Sequence, residues 1–250
     1  MKVRHYLLLI AAALLLAGSF FLPNAVAAIT DSRRLNSFAM IDSQSISFET
    51  APELDLPDRI SLVASPNTET LPLKTGQVMG DEQARERAVS ELGRLLRGSP
   101  LTFVFDGKVI DECSAAFMIN SEDPSINLII WELALTDRFG NNMTVIMDDE
   151  TGVVLKIIFS WGWSKGSAID TDGSKAMMSF GQSDEEFYDT ALRMSEMMNE
   201  YYGMTVTLAD YQYSGSLAYY RADMFGAGKV ISMFGIVRST GLTMNEKLLY

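Results

Sequence analysis

Apolar residues recur along this chain with two different periods, and the change of period predicts where helices give way to strands. A helix is expected between Asp81, as its cap, and Gly98, because apolar residues follow one another at helical spacing: Ala84, Ala88, Val89, Leu92, Leu95 and Leu96. A second helix begins at Ser183, where Glu186 completes a capping box, and ends at Gly203.

Alternating apolar positions fill the intervals and predict strands separated by Gly- and Asn-containing turns. The strand-like runs are LTFVF, KVIDECSAAFMI, INLIIWELAL, MTVIM and VVLKIIF, then MTVTLADYQY, SLAYYRADMF and KVISMFGIV after the second helix. The predicted fold class is therefore α+β, with two helix-plus-antiparallel-sheet units at residues 76–160 and 183–250. The Gly- and Ser-rich residues 161–182 are expected to link them, and residues 28–75 to form a stalk with one or two edge strands.

Three consecutive acids, Asp148-Asp149-Glu150, stand between two of these strands. A metal site and a plain hairpin turn are the two interpretations. Calcium needs oxygen ligands spread over a longer loop, whereas Gly152 supplies the positive φ of a short turn. The pattern favours a structural turn, whose acids are expected to be solvated and to discourage edge pairing.

The N-terminal residues form a basic start followed by an unbroken apolar run at residues 6–22. Ala25-Val26-Ala27 has the small-x-small form of a signal-peptidase site, so residues 1–27 are interpreted as a signal peptide cleaved after Ala27. The run is also long enough for an uncleaved membrane anchor, and the two alternatives stay open. Both predict a body outside the cytoplasm.

The amino-acid composition excludes several classes of partner and of active site. The formal net charge of −12 argues against nucleic acid as a partner. Cys113 is the only cysteine and His5 the only histidine, so an internal disulfide, a Ser-His-Asp triad and a His-ligated metal are excluded from the folded body. The sequence predicts no catalytic, cofactor-binding or metal-binding residues.

Aromatic residues suggest a groove for a partner, lined by Tyr211, Tyr213, Tyr219, Trp161 and Trp163. Cross-strand packing is the competing interpretation of the tyrosines, because aromatic residues at alternate strand positions commonly pack against one another.

A second candidate is a glycosidase-like acid pair, Glu132 and Asp137, for which the sequence fixes no separation.

Residues 81–158 resemble the PepSY family in their order of helix, strands and turn. The corresponding segments are ARERAVSEL, WELAL and VIMDDETGVVLKI. The resemblance implies an extracytoplasmic, non-enzymatic module, of the kind found in protease-inhibiting propeptides and in regulators of the bacterial cell surface.

Two functions compete. The first is a non-catalytic binding or regulatory module of the bacterial cell envelope, which docks an envelope protein or peptide by strand addition. The alternative is a carboxylate-dependent cell-envelope hydrolase, supported by abundant acids and tyrosines.

Overall fold

The computed structural model describes residues 54–97, 99, 110–137, 141–160, 183–214, 217–238 and 241–246, all within one compact unit. The described helices are α1 (Leu56–Ala64), α2 (Asp81–Leu95) and α3 (Asp184–Tyr202). The described strands are β1 (Thr68–Leu73), β2 (Ile110–Asn120), β3 (Asn127–Thr136), β4 (Asn142–Asp148), β5 (Val154–Ser160), β6 (Thr205–Tyr213), β7 (Leu217–Gly226), β8 (Lys229–Arg238) and β9 (Gly241–Glu246).

The nine described strands form a single antiparallel sheet in the order β1-β2-β3-β4-β5-β9-β8-β7-β6. The prediction of two helix-plus-sheet units is therefore wrong: both predicted helices exist, but the described strands of both runs belong to one sheet. The predicted strand at 101–105 lies outside the described residues.

The pairing of β5 with β9 joins the two runs. Ile157 lies opposite Met244 and Phe159 opposite Leu242, and all four side chains are buried. In separate sheets β5 and β9 would both be edge strands with unpaired backbone groups. Apolar and polar residues alternate in the same way in an edge strand and in a strand paired on both sides. The local sequence pattern therefore does not predict the pairing of β5 with β9.

One row of cross-strand partners shows that the two runs share a face. The row crosses the sheet through Leu135, Met143, Phe159, Leu242, Val237, Ala218 and Tyr213. Helices α2 and α3 cover this face, because Asp81 of α2 bonds to Cys113 and Phe187 of α3 packs on Tyr213. The buried side chains of both runs form one continuous core.

Helix α1 lies on the opposite face. Asp148 follows Met147, whose side chain is on the α2–α3 face, so alternation directs Asp148 to the other side. There it meets Arg59 of α1. Lys229 of β8 adds an ion pair to Asp55 at 3.2 Å. One sheet is thus sandwiched between one short helix and two longer ones.

Local signals explain the helix ends. The Ser183 hydroxyl accepts a hydrogen bond from the Glu186 N–H, and Gly203 ends α3 with φ of 63°. Helix α2 differs in detail from the prediction: Gly80 is the N-cap, and the Gln83 side chain accepts from its N–H.

Helix α1 stands within the stretch predicted to be a stalk. Asp55 caps it by accepting from the Asp58 N–H, and Pro57 occupies its first turn. The same stretch contributes β1, which lies at one edge of the sheet.

The N-terminal segment, with residues 6–22 and the site after Ala27, lies outside the described residues, as does the linker 161–182. None of α1, α2 and α3 combines the length with the apolar character of a membrane-spanning helix.

Candidate functional site

The acidic turn, residues 148–150, joins β4 to β5. The Gly152 N–H donates to the Asp148 carbonyl at 2.9 Å, and the Asp148 N–H donates to the Val153 carbonyl at 3.0 Å. Gly152 has φ of 72°, and the Arg87 side chain packs where a Cβ would stand. The segment is a tight turn, but two of its three acids are buried and not solvated.

Asp149 holds the loop that precedes α2. Its side chain accepts from the backbone N–H groups of Gln77 and Val78 at 2.7 Å and of Met79 at 3.1 Å. The indole N–H of Trp131 donates to it at 2.7 Å. A carboxylate has about four acceptor positions, so these donors saturate it.

Asp148 and Glu150 hold α1 through Arg59. The guanidinium donates to both Asp148 oxygens at 2.9 Å, to Glu150, and to the Leu54 carbonyl at 2.8 Å. Burial alone would lower the pKa of Arg59, but the hydrogen bond to Glu150 and the charge of Asp148 outweigh it and raise that pKa. The Thr151 N–H and hydroxyl donate to the same Asp148 carboxylate.

A cavity of about 200 Å³ lies beside these groups, lined in part by Arg59, Val78 and Asn127. The two buried acids that face it already have their acceptor positions filled. Across the described part of the chain, no cluster of acids, cysteines or histidines is suited to a metal ion. The arrangement therefore acts as a joint between α1, the loop before α2 and the β4–β5 turn.

A second buried polar group joins both longer helices to the sheet. The Tyr201 hydroxyl donates to Glu91 of α2 and accepts from the Val154 N–H, each at 2.9 Å. Arg87 and Arg94 pair with Glu91, and Arg94 lies over the Tyr201 ring. Burial raises the pKa of Tyr201, with further contributions from Glu91. This phenol is a structural donor that stays protonated.

Tyr202 and Asn245 continue this network. The Tyr202 hydroxyl donates to the Val154 carbonyl, and the Asn245 amide donates to both Tyr202 and the Leu155 carbonyl. Asn245 adopts the left-handed conformation that asparagine tolerates, with φ of 57°. The network ties β9 to β5 and α3, which reinforces the single sheet.

Strand β6 forms the other described edge of the sheet, opposite β1. It has nine residues, pairs with β7 alone among the described strands, and contains neither proline nor a basic residue. β1 has six residues and includes Pro72, which cannot donate a backbone hydrogen bond. A bulge between Leu208 and Asp210 is the one described irregularity of β6.

Aromatic contacts fasten β6 beneath the start of α3. The Phe187 ring lies 6.4 Å from that of Tyr211 and 5.9 Å from that of Tyr213. The Tyr188 ring lies 5.1 Å from that of Tyr211, whose hydroxyl donates to Asp184.

Five exposed side chains of α3 follow one another at helical spacing, and we call them the acidic ledge: Glu185, Tyr188, Asp189, Leu192 and Glu196. Tyr188 is 41% exposed and Leu192 37% exposed, although both are large and apolar. Helix α2 approaches α3 from the other side, through Tyr201. The ledge therefore lies on the solvent-exposed side of α3, where the Tyr188 ring contacts Tyr211 of β6. Arg193 is also exposed on this side of the helix, between Asp189 and Glu196.

Charge is concentrated here. Residues 184–213 contain seven acidic residues and one basic residue, Arg193, a formal net charge of −6. This segment accounts for half of the net charge of the chain, which is −12.

The structure brings together only part of the predicted aromatic groove. Tyr211 and Tyr213 lie on the α3 face of β6, whereas Tyr219 lies on the other face, with its ring 6.3 Å from that of Phe234. Tyr211 is opposite Tyr220, and adjacent strand residues point to opposite faces. Trp161 and Trp163 lie outside the described residues.

The proposed acid pair is not a pair. Glu132 is exposed on β3, and Asp137 is buried beyond its end, where Asn141 donates to it through its N–H and side chain. Five strand residues span about 16 Å, beyond the ~5–9.5 Å of glycosidase carboxylates.

Comparison with protein-family models, with curated proteins and with solved structures finds no match for this chain. The resemblance to the PepSY family stays a prediction.

Proposed function

We propose that the protein is a non-catalytic binding module that takes up an extended segment of a partner protein alongside β6. The observation that supports this most strongly is the long outer edge of β6, which lacks the proline found in β1. An added strand gains main-chain hydrogen bonds from such an edge, and its alternate side chains meet the surface beside it.

The ledge gives this edge a second contact surface. A segment paired with β6 would lie next to Tyr188, whose ring contacts Tyr211 and is partly exposed, and Leu192 is exposed one turn further along α3. Backbone pairing supplies affinity, and the side chains of α3 select among segments. A location outside the cytoplasm and a partner in the envelope belong to this proposal, as does the non-enzymatic role that the PepSY resemblance implies.

Lysine substitutions at the edge test the proposal. Thr207 and Gln212 are exposed on β6, and lysine on an edge strand opposes pairing. The full chain carrying Thr207→Lys and Gln212→Lys serves as bait in envelope extract, beside the wild type. The matched control carries Thr70→Lys and Leu71→Lys on β1, where both residues are exposed and the change of charge is the same.

We expect one partner that the wild type and the β1 control capture alike and that the β6 variant loses by about tenfold, equivalent to about 1.4 kcal/mol. Circular dichroism checks that both variants fold. Equal capture by the β6 variant would contradict the proposal. Hydrolysis of cell-wall material that disappears on replacing a single acid would favour the carboxylate-dependent hydrolase instead.

A further inference from the structure

We infer that the segment taken up along β6 is basic, an inference that rests on the proposed strand addition at this edge. Glu185, Asp189 and Glu196 are exposed on α3, the helix that packs on β6 through Phe187, and Asp210 is exposed on β6 itself. Opposite charges on two partners speed their encounter, and like charges disfavour binding of the wrong partner.

The apolar members of the ledge fit the same class of segment. Lys and Arg side chains lay their aliphatic stems on apolar surface while the charged head stays in water. Such stems can cover Leu192 and the ring of Tyr188, whose exposed face also attracts a cation. The charged ends of these Lys or Arg side chains then reach the ledge acids that precede and follow Tyr188 and Leu192 along α3.

Charge also distinguishes a basic segment from a second copy of this chain. Pairing β6 with β6 of another molecule would bring together two segments that each carry a formal net charge of −6. Like charges that face one another across an interface oppose association. The ledge therefore disfavours self-association through this edge and favours a partner of opposite sign.

Three synthetic peptides probe the inference with the full chain: alternating Val-Lys, alternating Val-Glu and alternating Val-Ser, each as long as β6. Binding is measured by fluorescence anisotropy at two salt concentrations. The ledge variant carries Glu185→Gln, Asp189→Asn and Glu196→Gln. Its control carries Glu69→Gln, Glu82→Gln and Glu86→Gln, the same change of charge at exposed positions away from β6.

We expect the Val-Lys peptide to bind most tightly, and the ledge variant to weaken that binding by about tenfold, since each exposed pair contributes a modest energy. The charge control should leave it unchanged, and added salt should weaken it.

Two other results overturn the inference, and they are distinguishable. If Val-Ser binds as tightly as Val-Lys and both are lost in the Thr207→Lys/Gln212→Lys variant, strand addition stands and the basic preference fails. If no peptide depends on β6, or if the chain instead dimerises through β6 in analytical ultracentrifugation, the proposed strand addition fails as well.

Discussion

The acidic turn and the acidic ledge both consist largely of carboxylate side chains, but those of the turn are buried and hydrogen-bonded whereas those of the ledge are exposed to solvent. At the turn, Asp148 and Asp149 are 1% and 2% exposed and accept hydrogen bonds from Arg59, Trp131 and a run of backbone amides. On the ledge, Glu185 and Glu196 are exposed to solvent on the surface of α3.

This difference separates structural acids from candidate recognition acids. A buried carboxylate whose acceptor positions are filled cannot bind anything further, and removing it leaves its donors without partners. An exposed carboxylate contributes little to folding but remains available to a partner. We therefore assign stability to the turn, and the ledge belongs to the proposed recognition surface.

The largest expected effect is at Asp149. Asp149→Asn places an amide NH₂ among four N–H donors, so about two of these donors lose their acceptor. We expect the free energy of unfolding in urea to fall by about 2–6 kcal/mol, because each donor left without an acceptor costs about 1–3 kcal/mol. In Glu150→Gln, at a side chain that is 60% exposed, the fall should stay below about 1 kcal/mol. A similar loss in both variants would show that burial does not separate structural acids from exposed ones.

The same variant tests whether the effect of the turn reaches the ledge. Because one core and one sheet contain both regions, Asp149→Asn should accelerate amide exchange through global unfolding equally in β3 and in α3. Hydrogen exchange followed by mass spectrometry measures this. Acceleration confined to β1–β5 would show that the two runs of strands unfold independently.

A double-mutant cycle isolates the Arg59–Asp148 pair. Arg59→Met and Asp148→Asn should each destabilise the fold, with a coupling energy of about 2–3 kcal/mol because the pair is buried and its hydrogen bonds join two charged groups. The exposed pair Arg85–Asp81, treated as Arg85→Met and Asp81→Asn, should couple by about 0.5 kcal/mol or less. Urea unfolding measures both coupling energies. If they were equal, burial would not explain the strength of the Arg59–Asp148 pair.

The smallest expected effect on stability is at the ledge. Glu185→Gln, Asp189→Asn and Glu196→Gln together should change the free energy of unfolding by no more than about 0.5 kcal/mol, because all three side chains are exposed. Thermal and urea unfolding beside the wild type measure this. A loss of several kcal/mol would place the ledge among the structural elements.

Sequence reasoning succeeded where structure is local. The cap at Ser183, the end of α3 at Gly203 and the turn at Gly152 each depend on a few neighbouring residues. It failed for β5 and β9, whose pairing is between distant segments. Helix α1 was missed although Asp55 and Pro57 are recognisable start signals.

Sequence reasoning about the candidate sites was limited in the same way. The donors to Asp149 come from residues 77–79 and from Trp131, so nothing next to the acidic triplet showed that it would be buried. Tyr219 was grouped with Tyr211, but the register of β6 and β7 puts Tyr220 opposite Tyr211 and directs Tyr219 to the other face. The ledge was missed because it depends on how α3 packs beside β6.

Hydrogen exchange of the full chain, with and without a saturating alternating Val-Lys peptide, tests most directly that β6 is the edge that takes up a partner segment. We predict that the peptide protects backbone amides of β6 and leaves those of β1 unchanged, because added main-chain hydrogen bonds slow exchange where the new strand pairs. Bound peptide that protects β1, or that leaves the exchange of β6 unaltered, would contradict the account.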